Sequence, residues 1–293
     1  MSKPHHYDVA IAGGGLVGAS AALALARAGL RVVLFERRYC GAQASGVNYG
    51  GVRCQGRPAE QLPLAMRARE VWRRLPELIG TDGEFVVSGH LRLARSEADL
   101  AALGEYAQMA AEHGLHLELV AGRAFRERYP WLGPAAVGGS LCESDGHANP
   151  RLVSPAFAQA ARRAGADVHE LTPLDDMIHD GARFQLSANG REFSANWLIN
   201  AAGAWANTIA QRFGDAVPMQ PIYPNMWVTE PLPLFIEHNL GVYGGGIYAR
   251  QVARGKIQEA VVATVNMRYR PPIPHAPSCA MPAHCCRCCA KPF

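Results

Sequence analysis

The sequence lacks a run of about 20 uncharged apolar residues, the minimum that a membrane-spanning helix requires. Its most apolar stretch, 9–34, contains Arg27 and Arg31, and Asp8 precedes it. The same stretch lacks the basic start and the small-residue cleavage site of a signal peptide. We therefore expect no integral membrane segment and a cytoplasmic location.

A concentration of positive charge is missing as well. The 29 lysine and arginine residues exceed the 25 acidic residues by only four, and pairs such as Arg73-Arg74 are scattered along the chain. Nucleic-acid-binding proteins usually gather such charge into a patch or stripe, so we expect no nucleic-acid partner. The chain does have 49% apolar residues over 293 positions, which suits a sizeable core divided between two lobes.

Cysteine is scarce except near the end of the chain. Cys40, Cys54 and Cys142 are dispersed and are predicted to be small buried thiols, whereas the other five of the eight lie in the last fifteen residues. The adjacent cysteines there lack the C-x-x-C spacing that lets thiolates converge on one zinc ion. We therefore predict no metal site, and we interpret the tail 271–293 as disordered and foreign to the fold.

The first 36 residues predict a strand, a glycine-rich turn, a helix and a second strand. Residues 7–12 and 31–36 are short apolar runs rich in β-branched side chains, as in buried parallel strands. Between them, 19–28 consists mainly of alanine and leucine, which favour a helix. The short connections indicate a right-handed βαβ unit.

The rest of the chain predicts further elements of both kinds. Helices are expected at 62–75, 97–113, 150–165 and 201–212, and strands at 85–87, 91–93, 166–170, 184–186, 193–200, 227–229 and 261–265. We infer an α/β fold. Its Rossmann-like nucleotide-binding domain is formed by 1–57 and 145–215, and the inserted α+β substrate domain, dominated by a mixed sheet, by 58–144 and 216–270.

The turn after the first strand has the G-x-G-x-x-G spacing of a dinucleotide site. Gly13 permits the tight turn, Gly15 lets the main chain approach a pyrophosphate, and Gly18 lets the helix pack closely on the sheet. Glu36 ends the second strand about 20 residues later, where a carboxylate accepts both hydroxyls of a ribose. A carboxylate there argues against NADP, but the spacing alone does not separate FAD from NAD.

Four stretches together are more specific than this fingerprint. They are YDVAIAGGGLVGASAALALARAGLRVVLFER (7–37), QASGVNYGGVR (43–53), DGHANPRLVSPAFAQAARRAGADVHE (145–170) and WLINAAGAWANTIA (197–210). In this order they resemble the D-amino-acid-oxidase superfamily of FAD-dependent oxidoreductases, which has a GR2-type FAD domain. Within it, the resemblance is nearest to the group of sarcosine oxidase β-subunit, glycine oxidase and hydroxyproline dehydrogenase, and it covers about 7–270.

The resemblance implies that FAD is the cofactor. It places the pyrophosphate at the glycine turn and at a serine-containing loop, the flavin along two glycines, and the adenine at a main-chain group of the central strand. The residues that it assigns to the cofactor are Gly13, Gly15, Leu16, Val17, Gly18, Glu36, Arg37, Ala44, Ser45, Gly50, Gly51, Val168, Ala202 and Gly203.

The resemblance also implies oxidation of the C–N bond of a small amine or amino acid by hydride transfer to the flavin, followed by hydrolysis of the imine. Oxygen or a partner protein would take the electrons, and the chain could be one subunit of a hetero-oligomer. Arg53 is the candidate for a substrate carboxylate, and Tyr248 resembles an active-site tyrosine. Their alternatives are a surface ion-pair partner and an ordinary half-buried strand tyrosine.

Two other functions stay open at this point. One is an NAD-dependent Rossmann dehydrogenase, against which the early change to a sheet-rich lobe argues. The other is an inactive remnant of a flavoprotein, because relatives continue beyond 270 with further substrate-binding sequence that this chain replaces by its cysteine-rich tail. We accordingly expect an incomplete substrate domain.

Overall fold

The computed structural model of the chain describes residues 5–220, 222 and 224–261, all within one compact unit. Its α-helices are α1 (Leu16–Arg27), α2 (Leu62–Arg73), α3 (Leu75–Ile79), α4 (Glu97–Glu112), α5 (Gly122–Arg128), α6 (Pro150–Arg163) and α7 (Ala206–Arg212). Its strands are β1 (His5–Ala12), β2 (Val32–Phe35), β3 (Gly51–Val52), β4 (His90–Ala94), β5 (Glu118–Ala121), β6 (Gly138–Cys142), β7 (Gly146–His147), β8 (Asp167–His169), β9 (Asp176–His179), β10 (Phe184–Ala188), β11 (Arg191–Asn200), β12 (Asn225–Pro231), β13 (Asn239–Val242), β14 (Ile247–Gln251) and β15 (Lys256–Val261).

A six-stranded sheet in the order β8-β2-β1-β11-β10-β9 contains the predicted βαβ unit. Its first four strands are parallel to one another, whereas β10 is antiparallel to both of its neighbours, β11 and β9. On one side of the sheet, Val9 and Ile11 of β1 pack against α1 and α6. On the other side, Ala10 of β1 and Phe35 of β2 pack toward β10 and α7. Apolar burial on both sides therefore explains the continuous apolar runs of β1 and β2. Because β1, β2 and β11 are parallel, their carboxyl ends lie at one edge of the sheet.

A seven-stranded mixed sheet has the order β12-β15-β14-β13-β4-β6-β5, with β13 and β4 parallel. Its strands alternate in polarity, as expected for a sheet whose two sides differ. Leu91, Leu141 and Leu240 lie opposite one another on the side that packs against Phe125 of α5. We call the other side the polar face; the paired strands place on it His90, Arg92, Ser140, Asn239, Tyr248 and Arg250.

A two-stranded ribbon of β3 and β7 pairs Gly51 with His147. The residue that follows β3 is Arg53, so the ribbon carries the predicted flavin-side loop to the candidate carboxylate ligand. The predicted α/β class with a Rossmann-like sheet and a mixed sheet is confirmed. The proposed domain boundaries stay a prediction.

Three predicted elements need correction. The strand predicted at 85–87 is wrong: only Val86 forms a bridge, to His147, and the side chains of Val86 and Val87 are each 49% exposed, so no apolar side is buried. Helix α1 begins at Leu16 rather than at 19, because Gly15 already has the extended conformation of an N-cap. The helix predicted at 201–212 is a short 3-10 turn, Gly203–Trp205, followed by α7, since Gly203 has a non-helical φ of +55°.

The last predicted strand and the tail fall largely outside the described residues. Strand β15 reaches Val261, and the remainder of 261–265 lies beyond the described part, as does the tail 271–293. The prediction for the three dispersed cysteines is confirmed, because Cys40, Cys54 and Cys142 are all buried. In the part of the chain that the structure describes, no helix combines the length and apolar character needed to cross a membrane.

Candidate cofactor and substrate site

The glycine turn between β1 and α1 leaves no room for side chains at two positions. Gly13 has a φ of +108°, and a Cβ atom there would lie 2.5 Å from the carbonyl oxygen of Ala201. A Cβ atom on Gly18 would lie 1.9 Å from the carbonyl oxygen of Gly13. Both contacts are sterically forbidden, so these glycines let α1 and the end of β11 close against the end of β1. We call residues 13–18 the glycine bend.

The third glycine of the pattern faces a serine from a distant loop. Gly15 is the N-cap of α1, and the amide of the next residue, Leu16, donates to Oγ of Ser45 at 2.9 Å. A Cβ atom on Gly15 would lie 2.9 Å from that oxygen. The first turn of α1, which includes the 69% exposed Val17, contains no acidic side chain. The positive helix end and the Ser45 hydroxyl beside it suit a phosphate group.

Glu36 stabilises the glycine bend by hydrogen bonds, whether or not it also binds a ligand. Its Oε2 accepts from the amide of Gly14 at 2.8 Å, and its Oε1 accepts from the amide of Arg38 at 2.8 Å. The residue is only 9% exposed. Because each carboxylate oxygen has a second acceptor position, these bonds leave acceptors for a ribose. The assignment of Glu36 to the ribose stays a prediction.

The remaining residues assigned to the nucleotide end lie around the same sheet edge. The guanidinium of Arg37 lies 3.6 Å from the centre of the Trp205 ring. The amide of Ala202, next to Gly203, donates to Oδ1 of Asn200 at 3.3 Å. On the outer strand β8, the carbonyl of Val168 accepts from Arg162 at 3.1 Å. A carbonyl that already has a donor offers the adenine only its second acceptor position.

The loop that carries Ser45 is braced by Asn48. Its Nδ2 donates to the carbonyl oxygens of Ala44 and Ser45, both at 2.9 Å, and its Oδ1 accepts from the amide of Gly50 at 2.7 Å. One side chain thus fixes the path from the serine to the glycine pair. Gly50 has a φ of +78°, and a Cβ atom there would lie 2.3 Å from the carbonyl of Ala148. The chain can take this path only with glycine at that position.

Beyond the glycine pair, a buried carboxylate fixes the backbone next to Arg53. Asp145 has no exposed surface and accepts from the amides of Cys54 and Gln55 at 2.8 and 3.0 Å. It also pairs with Arg69 at 3.4 Å. Arg53 donates to the carbonyl of Gln55 at 2.5 Å, and burial lowers the pKa of Arg53. Its guanidinium makes no ion pair in the described ranges and remains available for an anion.

Tyr248 lies on the polar face beside the glycine pair. Its ring centroid is 6.0 Å from that of Tyr49, and it lies opposite Gly241 in the sheet. Two residues further on, buried Arg250 donates to the carbonyl of Ala148 at 3.0 Å and to Oε1 of Gln258 at 2.9 Å. Burial raises the pKa of Tyr49 far above its ordinary value, so this phenol stays neutral. The contacts of Tyr49 and Arg250 therefore place Tyr248 and Gly50 on the same side of the mixed sheet.

Four polar residues of this region were not predicted from the sequence: His90, Arg92, Asp145 and Arg250. Three of them stand at every second position of apolar strands, in the segments HLRLA and IYARQ. This alternation was a usable signal, because it predicts a strand with one polar side. Asp145 carried no local signal, since the partners of its side chain lie 76 to 91 positions away.

Comparisons with known proteins agree with the resemblance found in the sequence. The family described as FAD dependent oxidoreductase (DAO) matches residues 8–274. Glycine oxidase of Geobacillus kaustophilus is 30% identical over 239 residues, which are 78% of this chain and 63% of that protein. An opine oxidase subunit of Rhizobium meliloti is 28% identical over 237 residues, which are 77% of this chain and 64% of that protein.

A solved structure gives the same result for the fold. The crystal structure of glycine oxidase from Geobacillus kaustophilus superposes with a TM-score of 0.77 at 28% identity, covering 87% of this chain and 70% of that one. The sequence matches span only about three-fifths of the length of these curated relatives, 63% and 64%. The predicted family resemblance is confirmed.

Proposed function

The chain belongs to the DAO family of FAD-dependent oxidoreductases, and on this premise we propose that it oxidises the C–N bond of a small amine or amino acid. FAD is the cofactor of this family. Relatives are named for glycine and for opines, which supports a substrate with an amino group. The acceptor of the electrons is proposed to be oxygen or a partner protein, and a place in a hetero-oligomer is supported by the relative named as a subunit.

The observation that carries the proposal is the N-terminus of α1, where Gly15 has no Cβ atom and the hydroxyl of Ser45 lies beside the first amides of the helix. A Cβ atom on Gly15 would collide with that hydroxyl, and main-chain amides at a helix end and a hydroxyl group both bind phosphate oxygens. We assign the pyrophosphate to this helix end, the ribose to Glu36 and the flavin to the main chain of Gly50 and Gly51. The contacts around these residues fit such a group.

Bound FAD supplies the two-electron acceptor in this family. The chain's own residues then have three tasks. Arg53 binds the substrate carboxylate by charge-assisted hydrogen bonds. The hydroxyl of Tyr248 donates a further hydrogen bond to the substrate. Burial on this side of the sheet disfavours a charged ammonium group, so the amine is held neutral, with a lone pair available as a C=N bond forms. Oxidation removes a hydride from the carbon, which the two-electron acceptor would take up, and a proton from the nitrogen, which solvent would take up; water then hydrolyses the imine.

A substitution at Gly15 tests the assignment of the pyrophosphate. Gly15 has a φ of −69°, so the backbone accepts alanine, but the added Cβ would lie 2.9 Å from Oγ of Ser45. We expect Gly15→Ala to weaken FAD binding at least about tenfold, because the methyl group would displace the Ser45 hydroxyl and crowd a phosphate at the helix end. FAD affinity is measured by quenching of flavin fluorescence on titration into the full chain.

Gly133→Ala is the matched control, because a Cβ atom at Gly133 meets no heavy atom within 4 Å. Equal FAD affinities of the two variants and the unaltered chain would refute the pyrophosphate assignment. The reaction itself is tested by mixing the FAD-loaded chain without oxygen with glycine, sarcosine, proline and D-amino acids. Loss of the flavin's visible absorbance with one of them supports C–N oxidation, and its persistence with the whole panel contradicts the proposed substrate class.

A further inference from the structure

Two guanidinium groups on the substrate side approach the same point. Nη1 of Arg92 and Nη1 of Arg53 lie 3.0 and 3.2 Å from the position of a Cβ atom on Gly56. Gly56 has a φ of +78°, so it both accepts this conformation and leaves the point free. Arg92 projects from the polar face, whereas Arg53 comes from the segment after β3. Two elements distant in sequence thus bring two positive charges together.

Neither guanidinium group forms an ion pair in the described ranges. No carboxylate there lies within 4.0 Å of Arg53 or Arg92. Asp145 is nearby, but it already accepts two amides and pairs with Arg69. Burial lowers the pKa of Arg53; Arg57 and Arg92 lower it further, whereas Tyr248 and Asp145 raise it. Guanidinium groups nevertheless stay charged, so the pair is stabilised by binding an anion.

Next to these charges, the polar face carries a glycine and a neutral ring. Gly241 lies opposite both Arg92 and Tyr248, and a Cβ atom there would lie 3.0 Å from Nε2 of His90. His90 is 3% exposed, and both of its ring nitrogens lack a hydrogen-bond partner among the described residues. Burial, followed by Arg53 and Arg92, lowers the pKa of His90 to about 3, so the ring is neutral and adds no charge.

The balance of charge indicates how many negative groups the ligand has. A single carboxylate neutralises one guanidinium and leaves the other without a counter-ion in a half-buried site. Two carboxylates neutralise both, and buried charges are tolerated when they are paired and hydrogen-bonded. The ring of Tyr243 lies 5.1 Å from the Arg92 guanidinium and orients it by a cation–π contact.

We propose that the substrate is a dicarboxylate, an amino acid or secondary amine in which one carboxylate binds Arg53 and a second acidic group binds Arg92. This proposal rests on the proposed C–N oxidation and names its substrate class. Arg92, with His90 and Gly241 beside it, is then the residue that selects for the second acidic group. Substrates with one carboxylate fill only the Arg53 end.

Calorimetric titration of the full chain with carboxylates that carry no amine tests this proposal without a flavin reaction. The probes are acetate and propionate against malonate, succinate and glutarate, at constant ionic strength to equalise screening. We expect one of the dicarboxylates to bind at least about tenfold more tightly than either monocarboxylate, because a second charge-assisted hydrogen-bonded pair forms. Equal affinities for both kinds of probe would overturn the proposal, whatever the variants show.

Variants identify the residue responsible. Arg92→Gln is expected to abolish the preference for dicarboxylates while leaving monocarboxylate affinity within about twofold, and Arg92→Lys to retain part of it. Arg95→Gln, at an exposed arginine just after β4, removes the same charge and is expected to change neither affinity. If Arg92→Gln lowered mono- and dicarboxylate affinity equally, both arginines would share one carboxylate and the proposal would fail. FAD titration of the same chain is unaffected by these outcomes, so a failure of the cofactor assignment is recognised separately.

Discussion

The glycine bend is built from main chain, whereas the polar face is built from side chains. In the bend, the decisive contacts join Gly13, Gly18 and the carbonyl of Ala201, and side chains are excluded. On the polar face, His90, Arg92 and Tyr248 project from a sheet whose backbone serves as a support. On the proposed assignments, a dinucleotide common to many enzymes is bound by a fixed geometry of the backbone, and a particular substrate by side chains that can be replaced without changing the strand.

The strongest way to break this comparison is to remove the side chain that fixes the backbone on the substrate side. Asp145→Ala leaves Arg69 without its buried partner and two amides, of Cys54 and Gln55, without an acceptor. We expect the free energy of unfolding to fall by about 4 kcal/mol, since breaking a buried ion pair strands a charge. Urea unfolding measures the change.

Glu70→Ala is the control for this substitution, because the ion pair between Glu70 and Arg73 is exposed. Its loss is expected to cost less than about 1 kcal/mol. If the two variants lost the same stability, Asp145 would not be the anchor of the segment that follows Arg53.

The same contrast explains how much of the molecule could be predicted from its sequence. The bend follows from local spacing, because Gly13, Gly15, Gly18 and Glu36 act within one βαβ unit. The Asp145 anchor depends on tertiary contacts with residues 76 to 91 positions away, for which no local pattern exists. The strand predicted at 85–87 failed for a related reason: β propensity was present, but no neighbouring strand offered more than one bridging residue.

The second prediction concerns the loss of stability at low pH that the buried imidazole of His90 causes on the polar face. The pKa of His90 falls from an ordinary 6.5 to about 3 in the fold, so the unfolded chain binds a proton that the fold excludes. Titration of His90 therefore leaves the free energy of unfolding unchanged above about pH 6.5 and lowers it as the pH falls from 6.5 toward 3. His90 accounts for at most about 1.4 kcal/mol per pH unit in that range.

His90→Leu removes this proton linkage and a pair of unpartnered ring nitrogens. We expect the variant to be at least as stable as the original chain at pH 7, and its stability to fall less steeply between pH 6.5 and 4. Urea unfolding at several pH values measures both. Parallel pH profiles of the two chains would show that the imidazole is solvated in the fold, contrary to its burial.

The smallest expected effect is the one that sharpens the comparison most, because it concerns the charged side chain that holds the glycine bend. Glu36→Gln replaces one acceptor oxygen by an amide group, so the bend loses the bond from Gly14 or from Arg38, and a ribose loses an acceptor. We expect FAD binding to weaken about tenfold, which corresponds to one charge-assisted hydrogen bond. Glu60→Gln, at an exposed acid, is the control for the loss of charge. FAD titration that gave the same affinity for all three chains would mean that the main chain alone carries nucleotide binding. The division between a backbone-built and a side-chain-built site would then be complete.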